Sequence, residues 1–164
     1  MPDHGEGVVI KVPVATSRIG HVAFAGYAAQ FLRAGEVASE EPSRRFRPVP
    51  FFLFGRATEL ALKAFLLSKG VSVTTLKNTY GHDLTAVFAR AKDEGLQRVV
   101  GALSPQYEPD LAAVNEFYKG KAFEYFMLEW WVREYAGGLP PLARFRASTV
   151  QLLKDLIPHC ETVP

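Results

Sequence analysis

The stretch from Pro50 to Lys69 restricts the fold more than any other part of this 164-residue chain. Leu53, Ala57, Leu60, Ala61, Ala64 and Phe65 recur at three- and four-residue spacing and form one broad face, and Leu62, Leu66 and Leu67 spill onto its flanks. Pro50 suits the first turn of a helix, and Gly70 ends it. The segment therefore predicts a helix that is apolar nearly all round. Its exception is a narrow stripe of Arg56, Glu59 and Lys63. Glu59 precedes Lys63 by one helical turn, the favourable order for an ion pair. A stripe of this kind is either a solvated, self-paired face or one wall of a charged groove.

The rest of the chain repeats the helical pattern. Thr16 or Ser17 can cap a helix that runs to about Arg33, with Gly35 just past its end and Phe24, Tyr27 and Phe31 on its inner face. Residues 35–50 read as a polar linker carrying Arg44, Arg45 and Arg47. Residues 71–80 are β-branched and polar and predict a connector or a brief extended segment. A further helix is expected over His82–Glu94, with Leu84, Val87, Phe88 and Ala91 inward and Asp83 in its positive first turn. A short helical turn suits Leu96–Leu103, and Pro109 opens a helix through Lys119 that points Leu111, Val114 and Tyr118 inward. The aromatic-rich segment 122–135 fits neither the helical nor the strand period. The last helix covers Leu142–Ile157, and Pro158 closes it. Residues 1–15 read as a loose arm, with a short strand expected at Val8–Val14, and residues 16–158 as one domain. The expected fold is all-α: an up-and-down bundle of about five helices with short irregular or extended connectors.

Composition excludes several classes of function. With 19 basic and 17 acidic residues, the net charge of +2 gives no bulk attraction to nucleic acid or membrane. Cys160 is the single cysteine, so no internal disulfide can form, as suits a reducing cytosol. The first sixteen residues lack the basic and apolar regions of a signal peptide, and the longest uncharged stretch, Ile19–Leu32, is too short to span a bilayer. A cytoplasmic location and no membrane association are expected. The chain has no phosphate-cradling glycine loop, no zinc spacing and no nucleophile elbow. His82–Asp83 alone does not make a metal hydrolase site, so neither a metal nor a cofactor is expected.

The run Glu59-Leu60-Ala61-Leu62-Lys63-Ala64-Phe65-Leu66, then Gly70, then Gly81-His82-Asp83-Leu84, resembles the HEPN superfamily, the higher-eukaryote and prokaryote nucleotide-binding domain. Members often carry E-x-x-L-K-A-x-L on one helix and H-D-L at the start of the next. Tyr118-Lys119-Gly120-Lys121 with Glu124-Tyr125 is similar to a tyrosine-rich segment of some members. The resemblance spans roughly residues 16–157, and its specific part is 59–84. It implies a helical domain that binds RNA, a nucleotide or a protein such as a nucleotidyltransferase or an antitoxin-like partner, and that pairs as a homodimer.

RNase members of that superfamily share an Arg and a His four to six residues apart. Here Lys77, not Arg, stands five positions before His82. The resemblance thus implies foremost a binding module without the strict RNase signature. In that module Arg56, Glu59, Lys63, Asn78, Tyr80 and Asp83 line the ligand groove. The alternative is a metal-independent RNase of toxin or defence type. His82 would then be the base that takes the 2′-hydroxyl proton, and Lys77 the cation that stabilises the charged phosphorane. Lys77 brings a point charge in place of a planar fork.

Overall fold

The computed structural model describes residues 18–40, 47–125, 128, 129, 132 and 138–163; nothing further is said of the others. Among the described residues there is no strand. Five helices of ten residues or more follow in order: α1 (Arg18–Ser39), α2 (Pro48–Ser68), α3 (Leu84–Asp93), α4 (Tyr107–Lys119) and α5 (Leu142–Thr162). The all-helical expectation therefore holds for the described part. The expected N-terminal arm and strand, the expected Thr16 or Ser17 cap, and Arg44 and Arg45 lie outside the described residues.

α2 is the helix around which the others pack. It touches α1, α3, α4 and α5, and between Pro50 and Leu66 only Phe52, Leu53 and Arg56 are not buried. A helix apolar on all sides removes most surface from water when neighbours cover it all round, which is why this segment takes the centre. Aromatic rings link α2 to the rest: Phe51 stacks on Phe123 and on Phe145, both at 6.0 Å between centroids. Phe123 stacks in turn on Phe117 at 5.7 Å.

α1 runs antiparallel to α2, since Gly20 faces Leu67 and Gly35 faces Phe54. It also runs antiparallel to α5. His21 Nε2 lies 3.3 Å from the Val163 carbonyl at one end, and Arg146 lies 3.7 Å from Glu36 at the other.

α1 differs from expectation in two ways. It continues through Gly35 to Ser39, because that glycine serves close packing instead of chain reversal: a Cβ there would sit 2.9 Å from the Phe54 ring. Its inner face is the small one. Ala25 and Ala28 are buried, Phe24 and Phe31 pack at the flanks, and Tyr27 is exposed. Replacing Gly35 by alanine is expected to cost about 1–3 kcal/mol through overpacking against Phe54, measured by urea unfolding; an unchanged midpoint would show that the helices separate freely.

Three other segments depart from the sequence pattern for local reasons. Residues 73–80 are helical, not extended: the Ser72 hydroxyl accepts from the Thr75 N–H and starts one turn, Val73–Thr75. That turn passes into a π-type turn, Leu76–Tyr80, anchored by the buried Leu76. Pro158 lies inside α5 although it removes one helical hydrogen bond. Leu156 and Cys160 are fully buried on either side of it, and the Thr162 hydroxyl donates to the Pro158 and His159 carbonyls. Of the undecided segment 122–135, residues 122–124 form turns and Leu128, Glu129 and Val132 are helical; Arg47 donates to the Ala38 and Ser39 carbonyls and so ties the linker to the end of α1.

Candidate functional site

Two of the three residues in the polar stripe of α2 are buried rather than solvated. Glu59 is 1 % exposed and Lys63 is 7 % exposed. A carboxylate removed from water in this way must be fully hydrogen-bonded, and Glu59 gathers four donors. Lys63 Nζ lies 2.6 Å from Oε1, the Tyr118 hydroxyl of α4 lies 2.6 Å from Oε2, Arg56 Nη1 lies 3.1 Å from Oε2, and His82 Nδ1 lies 3.1 Å from Oε2. Burial alone would raise the Glu59 pKa. The hydrogen bonds from Lys63 and Tyr118 and the charges of Lys63 and Arg56 outweigh it and hold the group below the usual carboxylate range. Burial, the Glu59 charge and their shared hydrogen bond raise the Tyr118 pKa, so its hydroxyl stays protonated as a donor.

His82 is placed by a turn, not by a helix. α3 begins two residues later than expected, at Leu84, and Asp83 is its N-cap with Oδ1 accepting from the Ala86 N–H at 3.1 Å. Gly81 adopts φ +51, a conformation that L side chains rarely take, and Lys63 Nζ donates to its carbonyl at 2.5 Å. Lys63 thereby binds both the buried carboxylate and the turn that carries the imidazole.

The tautomer of His82 follows from its surroundings. Nδ1 faces an ionised carboxylate, which can only accept, so Nδ1 carries the proton and donates to Glu59. Arg56 Nη1, 3.3 Å from the same nitrogen, is then a neighbouring cation and not a hydrogen-bond donor to it. Nε2 remains as the basic nitrogen, without a hydrogen bond among the described residues. The His82 side chain is 53 % exposed and that of Arg56 is 30 % exposed. The cluster therefore offers solvent a guanidinium and a basic imidazole nitrogen over a buried carboxylate, and its two permanent cations exceed its one carboxylate.

A second network flanks the first. The Asn115 side chain of α4 accepts from the Leu84 N–H at 2.7 Å and donates to Asp83 Oδ1 at 3.1 Å, while Lys119 Nζ binds Asp83 Oδ2 at 2.5 Å. Burial would raise the Asp83 pKa, but the hydrogen bonds from Lys119, Thr85, Ala86 and Asn115 hold it well below the usual range.

The structure thus brings together Arg56, Glu59, Lys63, His82 and Asp83 of the residues expected from sequence. Lys77 and Asn78 are exposed on the π-type turn, and among the described residues neither bonds to His82; Tyr80 is half-buried against the core. The cation beside His82 is Arg56. Tyr118, Asn115 and Lys119 complete the site and were not among the expected ligand residues. Tyr118 had two signals in the sequence, its inward spacing with Leu111 and Val114 and the Tyr118-Lys119 segment of the resemblance, which also contains Lys119; Asn115 had none.

Among the described residues, no group of three or more His, Cys, Asp or Glu side chains could hold a metal ion, and no helix is long and apolar enough to cross a membrane. A separate cleft of about 650 Å³ lies towards the far end of α3, floored by Phe88, Leu96, Val100 and Tyr107; the charged cluster takes no part in it. Comparison with family models, curated proteins and solved structures finds no match for this chain.

Proposed function

We propose that the chain is a HEPN-like, up-and-down helical module that binds RNA through a backbone phosphate held by Arg56, beside His82. One observation carries this reading: an arginine of α2 and a histidine of the turn before α3 meet at 3.3 Å on the surface, with the carboxylate that orients them buried beneath. Arginine suits phosphate because its planar fork matches two phosphate oxygens. An excess of positive charge at a partly desolvated site favours an anion, and its open position suits a polymer whose chain continues beyond the site. The protein would act as a homodimer in the cytoplasm, with a nucleotidyltransferase or antitoxin-like protein as its macromolecular partner.

A second reading, metal-independent RNA cleavage, is favoured by the Glu59–His82 geometry. A carboxylate on Nδ1 fixes the tautomer that leaves Nε2 able to accept a proton. Nε2 would take the 2′-hydroxyl proton as O2′ attacks phosphorus, and Arg56 would stabilise the added charge. The 5′-oxygen would leave with a proton returned from the imidazolium, giving a cyclic phosphate and a 5′-hydroxyl end. In this arrangement Arg56 fills the role that the sequence offers to Lys77.

Titration of fluorescein-labelled uridine 12-mer RNA at low salt tests the binding reading, and gel analysis of the same RNA tests cleavage. Saturable binding that weakens in an Arg56→Ala variant is expected; equal binding by both proteins would refute it.

A further inference from the structure

The corner that ends α4 carries a side chain where the backbone favours none. The Ala122 N–H donates to the Phe117 carbonyl at 2.9 Å, and the Lys121 N–H donates to the Tyr118 carbonyl at 3.0 Å. This pair of bonds closes a helix with one residue in the left-handed region, a place glycine usually takes. Here the residue is Lys121, with φ +58, while Gly120 stands one position earlier with φ −78. Among the described residues, Lys121 is the only non-glycine with positive φ. A side chain in this conformation meets a steric penalty that glycine escapes. Such strain concentrates where a side chain serves binding or catalysis. Helix-dipole complementation does not account for it, because Lys119 already places a cation in the last turn.

The corner adjoins the charged site. Lys119 binds Asp83, the neighbour of His82, and Lys121 follows two residues later. Asp83 neutralises Lys119, whereas Lys121 is exposed and has no ion-pair partner among the described residues. Arg56 thus meets His82, Asp83 follows His82 and binds Lys119, and Lys121 stands two residues beyond Lys119.

We propose that Lys121, beside Lys119, holds a second backbone phosphate of a single-stranded RNA whose first phosphate lies on Arg56. The site then takes a polynucleotide and not a mononucleotide. This rests on the RNA reading above, and the experiment separates the two.

Fluorescence anisotropy with labelled uridine 12-mer and labelled UpU, over a salt series, is combined with thermal melting of Lys121→Gly and Arg56→Ala. Glycine relieves the strain, so Lys121→Gly is expected to raise Tm by roughly 3 °C. The same variant should bind the 12-mer roughly threefold more weakly, with a log–log salt slope shallower by about 0.7, the loss of one phosphate contact on a single strand. Wild type should bind the 12-mer more tightly than UpU. An unchanged salt slope in Lys121→Gly, or equal wild-type affinity for the two RNAs, overturns the inference and leaves the Arg56 site standing. Absence of RNA binding by wild type, or Arg56→Ala binding like wild type, removes the RNA reading and this inference with it.

Discussion

Replacement of Glu59 by alanine should destabilise the fold by about 3–5 kcal/mol, the usual consequence of removing one partner from a buried ion pair. The change leaves Lys63 with the Gly81 carbonyl as its one acceptor among the described residues and strips the buried Tyr118 hydroxyl of its carboxylate. It also frees His82 from the group that fixes its tautomer. Glu59→Gln keeps the shape but not the charge, and should fall between the two proteins in urea unfolding.

The effect has a definite pH dependence. The Glu59 pKa is depressed in the folded protein, so its contribution is complete above the unfolded value of 4.5 and is lost as pH falls through the folded pKa. The stability gap between wild type and Glu59→Gln should therefore narrow only below about pH 4.5. A gap that stays constant down to pH 3, or an alanine variant within 1 kcal/mol of wild type, would show that the carboxylate is not the hub of this region.

The second large effect is on ligand affinity. Arg56→Ala should weaken RNA binding by roughly 10- to 100-fold, the range for a hydrogen-bonded charged contact of about 1.5–3 kcal/mol. Glu59 keeps Lys63 and Tyr118 in that variant, so the fold should survive. Arg56→Lys should recover only part of the loss, since a point charge replaces a fork. His82→Ala should change binding much less than Arg56→Ala, and should abolish whatever RNA cleavage wild type shows. Cleavage that persists in His82→Ala would assign it to another enzyme or another residue.

How much of this was legible in the sequence depends on the distance over which each signal acts. The apolar stripes of α2, α3 and α4 were readable because a helix repeats its environment every turn; Leu84, Val87, Phe88 and Ala91 are buried as their spacing required. Gly35 misled, since a glycine that ends a helix and one that admits a neighbour's ring look alike until Phe54 is placed against it. Pro158 misled for a similar reason: local propensity says stop, but the burial of Cys160 beyond it holds the turn.

The site divides in the same way. Arg56, Glu59 and Lys63 could be grouped because they share one helix face. The partnership of Arg56 with His82 crosses 26 positions, so a search for an arginine close before the histidine returns Lys77. Tyr118 reaches Glu59 across 59 positions, and only the packing of α4 on α2 brings them together.

The most direct test of the Arg56–His82 site is long-range ¹H–¹⁵N NMR of the His82 imidazole during titration with uridine 12-mer RNA. The geometry predicts Nδ1 protonated and Nε2 unprotonated in the neutral ring, with a saturable shift of the Nε2 resonance in wild type that is absent in Arg56→Ala. A proton on Nε2, or His82 resonances that stay still while RNA binds, would contradict it.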